Sequence, residues 1–492
     1  MSESNETAAD WPPVRRRRLS LGALRRHRLL VVSLPVLAAA ALAAVLIIVA
    51  DDAPPSRAAA LAPSDATVFV HARRDADAAR LWEIAGDFPS LAAAEREQLG
   101  PDVDPERDIA PWLGDELAIA LPGPLLLAAV ADRAGAERFR RRLPETTASA
   151  FAGAFLAIGP NAAVNAAAAR AGGEGESLAD TRAYQRAGEI ERAPVELYAP
   201  ADGIRRLLAE APALLRAAGA FADSPQFEGI AAGVVPEERG LRIRARILRA
   251  PGGPPVEEFA PALPGRVPAS AAAFLDLPGA DALTALLERG GLAATVSAVR
   301  AALPEIAGVD LDRDLLRPLG SEAALTIGAE GATPEITLTA RTDDPALTRE
   351  ALARLQGPLT EQLAPGSAGF RALDGDAFTL AATPRLEPSY AVTGNVVVAS
   401  THRSGLAQRT LARRGLAQDP AFRAVANQTG ARVEALAFAD LRQLLALGER
   451  TGLTLGPGFP ATRDDLRQVR AVGAVVRREE ADSTAELFLE IP

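Results

Sequence analysis

Two short acidic segments are the strongest candidates for chemistry in this chain. Each has carboxylates at alternate positions: Asp104, Glu106 and Asp108 in the first, and Asp310, Asp312 and Asp314 in the second. Clustered carboxylate oxygens are the ligands that Ca²⁺ prefers, but Ile109 stands where an EF-hand loop requires glycine. An arginine also lies inside each segment. The pattern therefore favours a structural interpretation over a calcium site: Asp104 or Asp310 caps a short helix, and the arginine pairs internally.

Histidine offers a second set of candidates, of which the chain has three. His71 and His402 each follow an apolar, strand-like segment in the large C-terminal region, whereas His27 lies in the N-terminal tail. His402 and Ser404 are too close along one loop for the usual geometry of acyl transfer. Two histidines with scattered carboxylates also fall short of the three or four ligands of a zinc site. The sequence therefore assigns no catalytic, cofactor-binding or metal-binding residue.

Missing residue types exclude several further classes of chemistry. The chain has no cysteine, which excludes disulfides, thiolate catalysis and Cys-ligated metals. It also has no lysine, which excludes a Walker-type phosphate loop and a Ser-x-x-Lys nucleophile. The net charge is −10 although the first 28 residues are basic, so the rest of the chain is strongly acidic. Such a region has no electrostatic basis for binding nucleic acid.

A basic stripe occurs in the segment Leu241–Ile247, where arginines 242, 244 and 246 alternate with apolar residues. Alternation with a period of two predicts a strand with one buried face and one polar face. We expect the arginine face to be solvated; the alternatives are contact with anionic lipid, with a cell-wall polymer or with the acidic face of another strand. The chain closes on a similar strand, Ala485–Ile491, whose polar face is partly acidic.

The elements that must position these residues run through one pattern twice. The matched pairs are Val103–Ile109 with Val309–Leu315, Glu116 with Glu322, and Pro63–Phe69 with Pro268–Phe274. Landmarks that recur in one order indicate an internal duplication. The spacing between the copies grows in one interval, which predicts an insertion in the second copy around residues 356–392.

Hydrophobic patterns predict the same elements in each copy. Predicted strands are Ala66–Ala72, Leu117–Leu121, Leu125–Val130, Ala154–Ile158 and Val195–Tyr198 in the first copy, and Ala271–Leu277, Ala323–Ile327, Ile336–Ala340 and Asn395–Ser400 in the second. Predicted helices include Gly135–Leu143, Pro345–Leu355 and Ala439–Leu447. The fold class is therefore α+β, with two tandem similar lobes of mainly antiparallel sheet and flanking helices. The lobes span residues 61–250 and 266–492, and a Pro/Gly-rich joint at 251–265 separates them.

Residues 29–50 are uncharged and apolar, and they predict a transmembrane helix in front of the two lobes. Twenty-two residues span roughly 33 Å, enough for the hydrocarbon core of a bilayer. Seven arginines precede the segment, so residues 1–28 are predicted to be a cytoplasmic tail and the lobes to be extracytoplasmic. The segment is too long for a signal peptide and lacks a small-x-small cleavage site, which favours a retained single-pass anchor. Residues 51–60 are predicted to be a linker.

Two motifs carry a resemblance to a known family. Leu61–Ala66 precedes an apolar strand, and Glu106–Glu116 reads ERDIAPWLGDE. With the basic tail and the single span, they resemble a bacterial membrane-anchored family known only as domain of unknown function 3352. The resemblance covers roughly residues 55–492 and implies the same architecture without implying an activity. The second copy departs from the pattern, because it has no tryptophan corresponding to Trp112.

The sequence thus predicts a non-enzymatic binding module of the bacterial cell envelope. The expected partners are the membrane, through residues 29–50, and an envelope protein, a lipid or a cell-wall polymer. One alternative is a carrier or sensor of an apolar ligand such as a lipid, since such sites are largely apolar. The other is an envelope hydrolase, which requires groups such as Asp108, Asp314, His71 and His402 to converge from distant segments.

Overall fold

The computed structural model describes residues 56–73, 80–81, 84, 88, 103–188, 193–209, 226–250, 257–288, 292–328, 333–383, 386–409, 415–426, 432–451, 459–479 and 482–491. These residues form an α+β fold built on one antiparallel sheet of 18 strands. The predicted α+β class is confirmed. The predicted tail and transmembrane helix lie outside the described residues, and no helix inside those ranges has the length and apolar character needed to cross a bilayer.

Residues 56–250, here called the first half, contribute eight of the described strands: β1 (Val68–Arg73), β2 (Leu113–Leu121), β3 (Leu125–Val130), β4 (Ala148–Ala152), β5 (Phe155–Gly159), β6 (Val195–Pro200), β7 (Phe227–Glu237) and β8 (Gly240–Arg249). Their hydrogen bonds give the order β4-β5-β3-β2-β1-β6-β7-β8. The opening strand β1 therefore lies in the middle of this half, with polar residues of β2 and β6 on either side of it.

Residues 257–491, here called the second half, contribute β9 (Ala271–Leu277), β10 (Ala323–Gly328), β11 (Glu335–Arg341), β12 (Arg371–Ala372), β13 (Ala377–Thr379), β14 (Ser389–Thr393), β15 (Val396–Ser400), β16 (Ala435–Asp440), β17 (Ala471–Glu479) and β18 (Asp482–Glu490). Their order is β12-β13-β14-β15-β11-β10-β9-β16-β17-β18. From β14 to β18 this repeats the order of the first half. The additional strands β12 and β13 lie within the predicted insertion.

The two halves share one sheet because their closing strands pair with each other. β8 runs antiparallel to β18, and Arg244 lies opposite Glu486 at the middle of the paired stretch. Both strands have the alternating pattern of a half-buried strand, which provides a continuous ladder of backbone hydrogen bonds. The strands therefore form a single continuous sheet across the two halves.

Helices flank the sheet in both halves: α1 (Arg133–Arg140), α2 (Asn161–Ala171), α3 (Arg182–Ala187), α4 (Ala201–Ala209), α5 (Ala280–Leu287), α6 (Ala293–Ala307), α7 (Pro345–Leu363), α8 (Pro420–Ala426), α9 (Leu441–Thr451) and α10 (Phe459–Gln468). α7 begins at the predicted residue but continues about two turns past Leu355. α9 begins later than predicted, because Ala439 and Asp440 extend β16. The Asp440 carboxylate then accepts the N–H of Gln443 (2.9 Å), which caps the helix.

The core lies on both faces of the sheet around β1. Phe69 packs on one face against Leu125 and Val164, whereas Val68 and Val70 pack on the other face. Successive side chains of a strand point to opposite faces, so a strand covered on both sides is apolar throughout. A polar residue on such a strand must find its partners inside the protein.

The fold begins before the predicted lobe boundaries. Ala58 and Ala59 are fully buried in a short 3₁₀ helix, although residues 51–60 were expected to be a linker. In the predicted joint, Phe259 pairs with Val433 through backbone hydrogen bonds and Leu263 is fully buried. The described parts of these two segments, residues 56–60 and 257–265, are here called the entry segments, and their apolar residues pack in the core of their own half.

The arginine stripe on β8 meets the acidic face of β18, which was one of the alternatives to the expected solvated face. Arg246 donates to the Asp482 carboxylate (2.9 Å), and Arg244 lies 3.7 Å from Glu486. Asp482 also accepts from Arg186 (3.1 Å) and from the backbone N–H of Arg249 (3.0 Å), and it is almost completely buried. The junction between the halves is therefore held by charge-assisted hydrogen bonds as well as by the backbone ladder.

We expect Asp482→Ala to lower the free energy of unfolding by about 3 kcal/mol, because it removes a buried carboxylate and leaves two half-buried arginines, Arg186 and Arg246, without their anion. Glu486→Gln is the matched control on the same strand, and since Glu486 is partly exposed it should cost less than about 1 kcal/mol. Chemical denaturation of the two variants measures both values. Equal losses would show that the buried network contributes nothing beyond surface ion pairing.

Candidate functional site

The first acidic segment forms one wide helical turn, Pro105–Ile109, in which Asp104 and Asp108 bind groups of the protein itself. The Asp104 carboxylate accepts the backbone N–H of Arg107 (3.1 Å), as predicted for a helix cap. Asp108 accepts from the guanidinium groups of Arg107 (2.9 Å) and Arg142 (2.7 Å) and from the backbone N–H of Asp104 (3.0 Å). Hydrogen bonds from the two arginines hold the pKa of Asp108 well below its ordinary value.

The second acidic segment, Leu311–Leu316, repeats these contacts. The Asp310 carboxylate accepts the N–H of Arg313 (2.8 Å), and Asp314 accepts both the Arg313 guanidinium (2.7 Å) and the N–H of Asp310 (3.0 Å). Hydrogen bonds from Arg313 and from the Asp310 backbone lower the pKa of Asp314 to about 2. The capping interpretation is confirmed in both segments, and the carboxylates of Asp104, Asp108, Asp310 and Asp314 accept hydrogen bonds from arginine or backbone donors.

His71 lies in a buried polar cluster between β1, β2 and β6. Its Nε2 atom is 3.2 Å from the Glu116 carboxylate, and its Nδ1 atom is 3.7 Å from the Glu196 carboxylate. His71 is 2% exposed and Glu116 is 6% exposed. Arg73 forms an ion pair with Glu196 (2.5 Å), so the cluster alternates positive and negative groups across the three strands.

The Glu116 carboxylate also holds the segment through which the chain enters the fold. It accepts the Ser56 hydroxyl (2.8 Å), the Arg57 Nε–H (3.1 Å) and the backbone N–H of Ala58 (2.8 Å). A buried carboxylate that loses these donors keeps its full desolvation penalty. Glu116 therefore couples the position of the entry segment to the centre of the sheet.

Opposing effects set the protonation states in this cluster. Burial disfavours the imidazolium form of His71, but the hydrogen bond that Nε2 donates to Glu116 and the negative charges of Glu116 and Glu196 outweigh burial and raise the pKa of His71. Burial likewise opposes ionisation of Glu116, but His71 and the donors of the entry segment lower its pKa to about 2. The imidazolium form of His71 is therefore favoured between the two glutamates. At 2% exposure, His71 offers no surface to a substrate.

A related pair occupies the corresponding place in the second half. Phe69 on β1 matches Phe274 on β9, so Asp276 corresponds to His71, while Glu322 matches Glu116. Glu322 accepts the backbone N–H groups of Ala262 (2.6 Å) and Leu263 (2.8 Å), just as Glu116 accepts that of Ala58. The matched carboxylates of Glu116 and Glu322 thus hold the entry segments in the same way. The neighbouring residue differs, because it is the basic His71 in the first half and the acidic Asp276 in the second.

One cation lies at the limit of ion-pair distance from the Asp276–Glu322 pair. Asp276 is fully buried, Glu322 is 1% exposed, and Arg341 lies 4.0 Å from the Glu322 carboxylate. Neither oxygen of Asp276 receives a well-formed hydrogen bond from the described residues. Burial, with the adjacent charge of Glu322, raises the pKa of Asp276 well above its ordinary value of 3.8. The neutral form of Asp276 is therefore favoured at this buried position.

The remaining sequence candidates lie apart from these clusters in the hydrogen-bond network. His402 Nε2 is 3.0 Å from the Thr333 hydroxyl, and Ser404 donates to Glu335 rather than to His402. Asp108 and Asp314 bind their own arginines, and His71 binds glutamates. The described contacts thus provide no shared site for the four residues that the hydrolase hypothesis names.

Sequence reasoning missed Asp276 and the role of the two matched glutamates. Glu116 and Glu322 were matched only as landmarks of the duplication, although a carboxylate that recurs at one place beside apolar strands requires buried partners. Asp276 interrupts the apolar run of β9 where His71 interrupts β1. A polar residue at the same position of two matched and otherwise apolar strands was the pattern in the sequence that could have indicated this site.

The sequence model of one protein family, described as "Protein of unknown function (DUF3352)", matches residues 128–490, which is most of the chain. The chain belongs to the DUF3352 family. The match begins inside β3 and ends at the last residue of β18, so it includes Asp276 and Glu322 but not His71 or Glu116. The family seen in the sequence is thus confirmed, while the two motifs that indicated it and the predicted membrane anchor lie outside the matched residues. No curated protein and no solved structure shows significant similarity to the chain.

We expect Asp276→Asn to change how stability depends on pH. Because the folded pKa of Asp276 is raised, its contribution is present below the ordinary value of 3.8 and is lost as the pH rises through the folded pKa. The unfolding free energy of the natural protein should therefore decline more steeply with rising pH than that of the variant. Denaturation across a pH series measures the slopes. Asp281→Asn, on the exposed side of α5, is the control, and parallel profiles for Asp276→Asn and the natural protein would contradict the assignment.

His71→Gln should be most harmful at mildly acidic pH. The raised pKa of His71 means that the imidazolium stabilises the fold below 6.5 and that this contribution is lost as the pH rises through the folded pKa. We expect a loss of about 3 kcal/mol near pH 6 and a smaller loss near pH 9. His402→Gln, which has a single hydroxyl partner, should change stability little at either pH. A loss from His71→Gln that is the same at both pH values would show that the histidine is neutral in the fold.

Proposed function

We propose that this DUF3352 protein is a single-pass membrane protein whose folded region lies outside the cytoplasm and binds a partner there without catalysing a reaction. The observation that carries the topology is the uncharged segment 29–50 with seven arginines on its N-terminal side. Arginines favour the cytoplasmic side of a span, and 22 apolar residues cross a bilayer. The proposal therefore places residues 1–28 in the cytoplasm.

The position of the entry segment supports a short connection between membrane and fold. Ser56 and Arg57 already bind Glu116, only six residues after the end of the apolar segment at Ala50. Six residues span at most about 20 Å. In the proposed topology the first half is therefore held close to the outer membrane surface, so that a partner in the envelope meets the protein at a defined height.

The state of the buried polar groups supports a binding role over catalysis. A general acid or base must reach the proton that it transfers. His71 and Asp276 are nearly or fully buried, and their nearest groups are residues that fix the sheet and the entry segments. The coupling of His71 to Glu116 serves the fold, because His71 stabilises the carboxylate that holds the entry segment of the first half.

We further infer that the folded region consists of two similar lobes produced by duplication. The equal strand order, the equal hydrogen bonds of the two acidic turns, and the equal role of Glu116 and Glu322 support this origin. Chance similarity in an alanine-rich sequence accounts for matched letters but not for matched hydrogen bonds. The lobes share one sheet, so in this proposal they act as one rigid body on the membrane.

Protease protection tests the topology. The full chain carries one tag before Met1 and another after Pro492, and is expressed in intact cells from which the cell wall has been stripped. We expect external protease to remove the C-terminal tag and to leave the N-terminal tag intact until the cells are lysed. Protection of the C-terminal tag in intact cells, with cleavage after lysis, would invert the orientation and remove the basis for an envelope role.

A further inference from the structure

The outer edge of β14 is covered by an added strand in the second half. Residues Ala377–Thr379 form β13, which pairs antiparallel with β14 and places Phe378 opposite Tyr390. The backbone N–H of Leu380 donates to Pro388 (2.9 Å), and that of Val392 reaches the carbonyl of Asp376 (3.4 Å). β13 and the residues next to it thus form hydrogen bonds with the backbone groups of β14 that point away from β15.

The corresponding edge in the first half is open within the described part of the chain. β4 occupies the place of β14, and both precede a tight turn whose glycine has a positive φ: Gly153 (+60°) and Gly394 (+58°). Ala152 pairs with Phe155 across this turn, so Ser149 and Phe151 turn their backbone groups to the outer side. No described strand pairs with that side.

The sequence of β4 does not protect this edge. Soluble proteins usually block an open strand edge with a charge, a proline or a bulge, because unpaired backbone groups attract other strands. β4 reads Ala-Ser-Ala-Phe-Ala and contains none of these, and its register with β5 is regular. The edge therefore has the properties of a strand that accepts a partner strand.

A positive charge stands beside the open edge. The Arg133 guanidinium lies 4.0 Å from the centre of the Phe151 ring, and no described carboxylate forms an ion pair with Arg133. Phe151 lies two residues before Gly153, and Val392 lies two residues before Gly394. Phe151 is therefore the counterpart of Val392, whose neighbour on the outer side of β14 is Asp376. In the second half, Asp376 pairs with Arg349 of the neighbouring helix (3.2 Å).

We propose that the outer edge of β4 binds an extended segment of another protein, in the position that β13 occupies on β14. The recognised segment is uncharged where it pairs with Ser149 and carries an acidic residue opposite Phe151, where Arg133 binds it. Backbone hydrogen bonds provide the attachment and the arginine provides the register. This inference rests on the binding role proposed above and names the chemical class of the partner.

A second copy of this chain fits the edge less well. Pairing of β4 with another β4 brings two Arg133 side chains to one short interface, and β4 itself supplies no carboxylate to either of them. A five-residue strand also buries far less than the roughly 1,200 Å² of a stable dimer. Charge complementarity therefore selects a partner segment with an acidic residue.

Hydrogen exchange on the full chain in detergent tests the proposal. The probe is a synthetic peptide with the sequence of residues 374–381 (DGDAFTLA), which already contains the acidic residue and the pairing residues. We expect rapid exchange at Ser149 and Phe151 without the peptide, and exchange slowed at least about tenfold with millimolar peptide. A peptide methylated on the amide nitrogen of Phe378 is the control and should protect neither residue.

Variants separate the contributions of charge and backbone. Arg133→Ala should weaken binding of the acidic peptide about three- to tenfold and should leave binding of a peptide carrying Asp376→Asn unchanged. Arg138→Ala, on the same helix, is the matched control and should not alter either affinity. Ser149→Pro should abolish protection of the edge because it removes a backbone donor and blocks pairing.

Three results would overturn the proposal. Slow exchange at Ser149 without peptide would show that the chain covers its own edge, and a lack of protection by the peptide would show that the edge does not bind it. Protection that grows with protein concentration alone would show that a second copy of the chain binds. Protection at residues 389–393 instead of 148–152 shows only exchange of β13 and also counts against it. The test is independent of orientation, so a failed topology experiment leaves its outcome unchanged.

Discussion

The antiparallel pairing of β8 with β18 is the constraint on which the rest of the structure depends. It joins the closing strand of the first half to the last strand of the chain, and it sets the arginines of one against the carboxylates of the other. Asp482 is buried at this junction, so its three donors must stay in place. The described sheet is consequently continuous across the two halves. Its two outer edges lie at the ends of the halves that are farthest from the β8–β18 pairing.

Both halves bury a carboxylate that binds an entry segment, but the residue next to that carboxylate differs in charge between the halves. Each entry segment places backbone N–H groups against a buried carboxylate, Glu116 or Glu322. The first half places His71 beside that carboxylate, and the second half places Asp276 there; the pKa of each of these two neighbours is raised. Both arrangements favour a protonated neighbour, so both halves lose stability from these groups as the pH rises. A protein exposed to the outside of a cell would experience that dependence directly.

Differences between the halves also separate structural from functional features. The acidic turns are equal in both, with Asp104 and Asp310 in the same role, as expected of a device that stabilises each half. The edges differ: β14 is covered by β13, whereas β4 has no described partner strand. The insertion therefore gives β14 a partner strand that its counterpart β4 lacks among the described residues.

Local patterns in the sequence determined the α+β class, most strand positions and the capped acidic turns, because alternation, breaks and caps act over a few residues. They also indicated the duplication and the family. Only the tertiary structure decided that the arginine stripe meets β18, that Asp276 lies beside Glu322, and that the halves share one sheet. These features depend on contacts between residues that are distant along the chain, and a single sequence carries no local pattern that specifies which distant strands pair.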